Sequence, residues 1–248
     1  MSSSLSYVPG SSVLHEMNPI TKILLALCIC AAAFISGNLY FLVGIIIIDL
    51  LIGVIGGIFK KALSVFKGLL RVSIFLFVLQ VLFIRDGRVL FLFITEKGVI
   101  TALSVVLRLM GACMPLALVL ATTQPNDLAN SMVSVLHIPY KYAFTLSTSI
   151  KFIPLFASEM AGIKEAQTAR GVEFDTKNFF KKIGLILPLC VPLLISSVRK
   201  TESTALAAEM RGFELRTGKS GYKTYPFKAV DISAFIFSAA IIAAAIIL

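Results

Sequence analysis

Two short segments in the C-terminal half of the chain place an arginine directly before a glycine: Ala169-Arg170-Gly171 and Met210-Arg211-Gly212. An arginine side chain carries five N–H donors in a planar fork, so it can bind a carboxylate through two parallel hydrogen bonds. Two such groups held at helix ends could fix two acidic sites on a partner. The pair therefore indicates a binding role rather than catalysis.

Each arginine also has a purely structural explanation. Glycine often ends a helix because it tolerates the left-handed C′ position, and a basic side chain in the last turn is favoured by the helix dipole. One Arg-Gly pair alone would be explained by helix capping. Two copies, each followed by an apolar residue and a carboxylate (Val172-Glu173 and Phe213-Glu214), favour a shared function.

Helices are needed to position these two segments, and the sequence predicts them over about 140–154, 155–168 and 193–209. Pro154 is expected to kink or end the first of these helices. Pro125 should stop the preceding helix, with Asn126 or Asp127 capping the next one, and Ile138-Pro139 marks a further break. Gly171 and Gly212 are then placed to end two helices.

The composition indicates a membrane protein with several spans. Of the 248 residues, 58% are hydrophobic and 15% are charged, with a mean hydropathy of +0.93. An average soluble domain is about half apolar and about a quarter charged. Such an apolar chain is not disordered, and 4 Cys are too few for a disulfide scaffold.

Five apolar stretches are long enough, or nearly so, to cross a bilayer. They are Lys22–Ser36, Leu39–Ile58, Leu69–Ile84, Val99–Ala121 and Asp231–Leu248. A sixth stretch, Ile183–Val198, contains Pro188 and Pro192 and is predicted to be too short and interrupted for a span. We assign it instead to a cytoplasmic segment.

The distribution of basic residues predicts the orientation. The chain has 23 Lys and Arg against 13 Asp and Glu, a net charge of +10. The link Gly37-Asn38 carries no charge, whereas the next link and the stretch 122–230 are rich in Lys and Arg; the second link holds Lys60, Lys61, Lys67 and Arg71. Basic residues collect on the cytoplasmic side, which predicts a cytoplasmic N-terminus and an external C-terminus. The surplus charge then needs no nucleic acid partner.

Other groups that could do chemistry are scarce. Asp49 and Arg108 fall inside predicted spans, where they could form an ion relay or serve the structure. The segment 216–220 resembles the end of a phosphate-binding loop but lacks its first glycine. No Ser/His/Asp set, paired carboxylates or metal-ligand spacing is present. We therefore predict no enzyme activity, no cofactor and no metal site.

With these motifs in order, the chain resembles the transmembrane T component of energy-coupling factor (ECF) transporters over nearly its whole length. That family has a pair of Ala-Arg-Gly motifs at the ends of two long cytoplasmic coupling helices; here Met210 replaces the second Ala. Further resemblances are the pre-span element Met17–Lys22, the turn with Thr122-Thr123 and Asp127-Leu128, and Phe152-Ile153-Pro154, where Lys151 replaces the usual Arg.

The resemblance implies a subunit that couples two ATP-binding-cassette (ABC) ATPases to a membrane-embedded, substrate-binding S component for uptake of a vitamin or metal ion. Arg170 would lie in an acidic groove of one ATPase and Arg211 in that of the other, and the ATP would be bound by those partners. The apolar stretch 183–198 could contact the S component. The residues predicted for that contact are Leu185, Leu187, Leu189, Val191, Leu193 and Leu194.

We therefore predict an all-α integral membrane protein of the cell membrane, L-shaped, with about five transmembrane helices and a cytoplasmic domain of long coupling helices. Residues 1–121 would hold transmembrane helices 1–4, 122–230 the coupling-helix domain and 231–248 the last span. A stand-alone secondary transporter remains an alternative, which would show internal repeats and broken helices at mid-membrane. An integral membrane enzyme would need a cluster of catalytic polar groups.

Overall fold

A computed structural model describes residues 7, 9–10, 12–84, 89–91, 94–174, 179–215 and 225–247. It is an all-α membrane protein apart from one short antiparallel hairpin, β1 (Val89–Phe91) and β2 (Ile94–Thr95). The helices are α1 (Val13–Glu16), α2 (Pro19–Ile35), α3 (Leu39–Ile55), α4 (Phe59–Phe83), α5 (Glu96–Thr122), α6 (Pro125–Leu136), α7 (Tyr140–Ala169), α8 (Phe179–Met210) and α9 (Ala229–Ile247). A 3₁₀ turn, Phe213–Leu215, follows α8.

Side-chain caps start three of the apolar helices. The Asn18 carboxamide oxygen accepts a hydrogen bond from the Ile20 N–H at 3.0 Å, next to a proline at the first helical position. Asn38 caps α3 in the same way, and the Thr95 hydroxyl accepts from the Gly98 N–H at 3.3 Å to start α5. These bonds satisfy backbone donors that a helix N-terminus leaves without partners.

All five predicted spans are helical. The helices Phe59–Phe83, Glu96–Thr122 and Ala229–Ile247 are long and apolar enough to cross a membrane, and Pro19–Ile35 and Leu39–Ile55 are shorter apolar helices. The prediction for the second link was wrong in one respect, because α4 begins at Phe59. The four basic residues assigned to the link therefore lie on α4, and Lys and Arg have a high helix propensity.

The bounds of three other helices, α6, α7 and α8, differ from the predictions. Helix α7 runs unbroken through Pro154, and α8 runs unbroken through Pro188 and Pro192. A proline inside a helix removes one backbone hydrogen bond and can bend the helix, and a long enough helix continues past it. The prediction that the stretch 183–198 is too short and interrupted for a span was wrong in this respect, because the part Gly184–Met210 of α8 is one helix, long and apolar enough for a span by length and composition. Helix α6 begins at Pro125 itself, so Asn126 and Asp127 lie in its first turn and do not cap it.

The chain divides into two compact units: residues 1–131 with 224–248, which we call the bundle, and residues 132–223, which we call the arm. In the bundle, α5 packs against α2, α3 and α4, and α2 packs against α9. One core cluster joins α2, α3 and α9, and contains Ile29, Leu42, Ile45 and Ile241. Gly53 lies directly against Ala62, since a Cβ at position 53 would fall 2.7 Å from the Ala62 Cβ. Because both residues are small, α3 and α4 can pack closely at this point.

The two charges inside the apolar helices of the bundle have different surroundings. The Arg108 guanidinium donates to the Ala33 carbonyl at 3.0 Å and to the Ser36 carbonyl at 2.9 Å, which closes the C-terminal end of α2. This contact supports the structural explanation for Arg108. Asp49 is fully buried in α3, and among the described residues neither of its carboxylate oxygens has a hydrogen-bond partner.

Candidate partner-binding site on the arm

The first Arg-Gly segment forms the C-terminal end of α7. Gly171 has a φ of 88°, the left-handed conformation predicted for it, and Arg170 is the C-cap residue. The Gly171 N–H donates to the Thr168 carbonyl at 2.9 Å and the Val172 N–H donates to the Gln167 carbonyl at 3.1 Å. These two bonds form a Schellman motif, which fixes the direction of the backbone at Arg170.

The second Arg-Gly segment ends α8 by a related turn. Gly212 has a φ of 69°, and its N–H donates to the Glu209 carbonyl at 2.8 Å. The chain then turns through Phe213–Leu215, where the Leu215 N–H donates to the Gly212 carbonyl at 3.0 Å. The prediction that a left-handed glycine ends each helix is confirmed at both positions.

Aromatic side chains hold the end of α8 against the beginning of α7. The Phe213 ring lies 4.8 Å from the Phe144 ring and 5.5 Å from the Tyr140 ring, measured between centroids. Edge-to-face and tilted ring pairs at such distances are attractive beyond the area that they bury. A cavity of about 200 Å³ adjoins these rings, and Ala207, Ala208 and Arg211 also line it.

The two helices of the arm are antiparallel. The Ser196 hydroxyl donates to the Glu159 carboxylate at 2.9 Å, midway along the pair, while the end of α8 meets the start of α7. At a rise of 1.5 Å per residue, about 45 Å of helix separates Tyr140 from Arg170. Arg170 and Arg211 therefore lie at opposite ends of the α7–α8 pair.

Both arginine side chains are exposed to solvent. Among the described residues, neither guanidinium forms an ion pair or a side-chain hydrogen bond within the chain. By contrast, Lys200 pairs with Glu159 across the two helices, and this contact lowers the pKa of the Glu159 carboxyl. The arm thus neutralises a carboxylate at its middle and leaves a bidentate donor at each end.

The residues predicted to contact an S component divide between two faces of α8. Leu187, Val191 and Leu194 are 58–70% exposed and recur at the spacing of one helix face. Leu185 and Leu193 are half-buried, and Leu189 is buried at 5% exposure. The sequence prediction took alternate residues, as for a strand, whereas a helix presents residues three and four apart on one side.

Two features of the molecule were absent from the sequence predictions. The aromatic contact at Arg211 joins residues far apart in the chain, although the spacing of Tyr140 and Phe144 places both rings on one helix face. In the bundle, two segments noted separately in the sequence meet, since the Lys22 ammonium donates to the Thr122 carbonyl at 3.4 Å. The segment resembling a phosphate-binding loop, residues 216–220, lies outside the described residues.

The chain is similar to known proteins over most of its length. Residues 10–221 match the family CbiQ, described as cobalt transport protein. The energy-coupling factor transporter transmembrane protein EcfT of Exiguobacterium sibiricum is 33% identical over 231 residues, 86% of each chain. The EcfT proteins of Listeria innocua (31%, 91% of this chain and 89% of that one) and Bacillus subtilis (27%, 93% and 91%) are similar over nearly their whole length.

Proposed function

The chain belongs to the CbiQ family and is an EcfT-type transmembrane component of an energy-coupling factor transporter, and from this we propose that it couples two cytoplasmic ABC ATPases to a membrane-embedded S component. In this proposal the ATPases bind and hydrolyse ATP, and the chain itself holds no cofactor. The S component binds a vitamin or a metal ion. The subunit transmits force and carries out no chemistry.

The observation that carries the proposal is the position of the two arginines. Arg170 and Arg211 are exposed at opposite ends of one antiparallel helix pair, about 45 Å of helix apart. Two groups so far apart suit two separate protein subunits better than one small ligand. We propose that the segment Ala169–Gly171 binds an acidic groove on one ATPase and that Met210–Gly212 binds the other.

Each contact depends on a charge-assisted hydrogen bond from a guanidinium to a carboxylate. Such bonds contribute about 1.5–3 kcal/mol each when both groups are shielded from water. The loss of one arginine should weaken one ATPase contact and leave the other intact. When ATP draws the two ATPases together, the two ends of the arm would be drawn with them.

The exposed apolar face of α8 supports the proposed contact with the S component. Leu187, Val191 and Leu194 leave a continuous apolar strip uncovered in a chain whose family works in a membrane. We propose that the S component lies against this strip. The chain would then occupy the cell membrane with a cytoplasmic N-terminus and an external C-terminus, as the distribution of basic residues predicts.

The experiment that tests the proposal is uptake by proteoliposomes containing the chain, its ATPases and a riboflavin-binding S component, with tritiated riboflavin as the probe. Arg170→Ala combined with Arg211→Ala should abolish ATP-driven uptake while the chain still inserts. The matched control is Arg199→Ala with Lys219→Ala, which removes two positive charges elsewhere. Full uptake by the double arginine variant would contradict the proposal, and uptake without any ATPase would favour a secondary transporter.

A further inference from the structure

The chain passes between the bundle and the arm twice, and both connections begin near one place in the bundle. The outgoing connection follows the first turns of α6, where Asp127 lies, and the returning one enters the bundle just before Tyr225. The Tyr225 hydroxyl donates to an Asp127 carboxylate oxygen at 2.9 Å. One hydrogen bond therefore ties the two connections together on the bundle side, 98 residues apart in the chain.

This bond is well suited to persist in a working transporter. Burial raises the pKa of the Tyr225 hydroxyl well above its usual range, and the adjacent Asp127 carboxylate acts in the same direction. The hydroxyl therefore stays protonated and remains a donor at neutral pH. A hydrogen bond to an ionised acceptor is shorter and stronger than one between neutral groups.

Asn18 and Lys22, at the start of α2, interact with the Tyr225–Asp127 pair. The Asn18 side-chain N–H₂ donates to the Tyr225 carbonyl at 3.0 Å, and Asn18 also caps α2. The Lys22 ammonium, one turn into α2, is attracted electrostatically by Asp127. Asn18 and Lys22 are only 2% and 4% exposed, so little water competes for these contacts.

Two further helices meet at this place. Asp231, in the first turn of α9, accepts from the Asn18 N–H at 3.0 Å and from the Lys228 N–H at 2.8 Å, and it is fully buried. The Lys22 ammonium reaches the carbonyl of Thr122, the last residue of α5. Five residues, linked by these hydrogen bonds and by the attraction of Lys22 to the carboxylates, join both connections to the ends of α2, α5 and α9. We call them the root cluster: Asn18, Lys22, Asp127, Tyr225 and Asp231.

We propose that the root cluster is the place where motion of the arm enters the transmembrane helices, with Asp127 and Tyr225 as positioning residues for coupling. The inference rests on the proposed function, because it presumes that ATPases move the arm. With the two connections tied together, a displacement of the arm moves α2, α5 and α9 as one body. Without the Tyr225–Asp127 hydrogen bond, the two connections can move independently of each other. ATP is then hydrolysed without a matching movement of the transmembrane helices.

The test compares Tyr225→Phe with Tyr40→Phe in the full complex with its ATPases and a riboflavin-binding S component. Tyr225→Phe removes the hydroxyl that donates to Asp127 and also interacts with the Asn130 side chain, whereas Tyr40 is 85% exposed and Tyr40→Phe serves as the matched control. Two quantities are measured in the same proteoliposomes: ATP hydrolysed and tritiated riboflavin taken up. The ATP hydrolysed per riboflavin should rise about tenfold in Tyr225→Phe, as expected for the loss of one hydrogen bond to a carboxylate, and stay unchanged in Tyr40→Phe.

A second pair of variants separates positioning from simple support of the fold. Asp127→Asn keeps an oxygen that can accept from Tyr225 but loses the charge that strengthens the bond, so it should restore part of the coupling that Asp127→Ala loses. A merely structural role would reduce the amount of assembled complex and lower hydrolysis and uptake together. A wild-type ratio in Tyr225→Phe, or equal loss of hydrolysis and uptake, would overturn this inference alone. If the wild-type chain binds no ATPase, the proposed function fails as well.

Discussion

The two ends of the α7–α8 pair carry the same Arg-Gly motif and are supported in different ways. At the end of α7, Arg170 is held by its own turn: Gly171 completes a Schellman motif, and the Phe174 ring lies 5.8 Å from the Lys164 ammonium within the same segment. At the end of α8, Arg211 is held by the other helix, because the Phe213 ring packs on rings at the start of α7.

The same motif is therefore fixed by local backbone geometry at one end and by tertiary packing at the other. A locally supported end responds only to changes in its own turn. An end supported by packing also depends on contacts elsewhere in the arm, so a change in the packing of α7 against α8 should displace Arg211 more than Arg170.

Charge reversal should have the largest effect and should treat the two ends alike. In Arg170→Glu or Arg211→Glu, a repelled carboxylate replaces the guanidinium that would bind an acidic groove. The affinity for the corresponding ATPase should fall about 100-fold or more, since the bond lost and the new repulsion add. Surface plasmon resonance with each purified ATPase measures this. A loss at only one end would show that the other arginine is a helix cap and nothing more.

Removal of the aromatic support should affect one end only. Phe213→Ala deletes the ring that joins α8 to Tyr140 and Phe144, which loosens Arg211 and should weaken its ATPase contact about tenfold. The same change at the other end, Phe174→Ala, removes only a contact within the turn and should weaken the Arg170 contact less than threefold. Equal effects of the two variants would show that the two ends are supported in the same way.

A smaller effect is expected from the glycines, and here the α7 end should be the more sensitive. Alanine is strained at a positive φ by about 1–2 kcal/mol. Gly171→Ala meets no neighbouring atom within 4 Å, so strain is its whole effect, and nothing outside the turn can restore the geometry. Gly212→Ala carries the same strain, but the Phe213 packing should limit the displacement of Arg211. Binding of each ATPase to the two variants checks the order.

The smallest effect is expected at the middle of the α7–α8 pair, where Glu159 contacts Lys200. The pKa of Glu159 is lowered by its contact with Lys200, so the contact stabilises the arm above the ordinary glutamate pKa, and that stability is lost as the pH falls through the lowered value. Glu159→Gln should lower the melting temperature in detergent slightly at pH 7, and this difference from the wild type should shrink as the pH falls through the lowered pKa of Glu159. A difference that persists unchanged at pH 3 would assign the effect to packing.

Sequence reasoning predicted the features that depend on local chemistry. The five apolar helices follow from run length and hydropathy, and the left-handed glycines 171 and 212 follow from the need to end a helix. The helix breaks predicted at Pro154, Pro188 and Pro192 were wrong, because α7 and α8 continue through these residues. A proline indicates a break when only its neighbours in the sequence are considered. Sequence reasoning could not place Phe213 on Phe144 or Tyr225 on Asp127, since those contacts exist only after distant segments have packed together.

If each Arg-Gly end holds one ATPase, native mass spectrometry of the detergent-solubilised complex should show it in the number of bound ATPase subunits. The wild-type chain should carry two ATPase subunits, each of the variants Arg170→Ala and Arg211→Ala should retain one under dilute conditions, and the double variant none. Two ATPase subunits on the double variant would contradict the account.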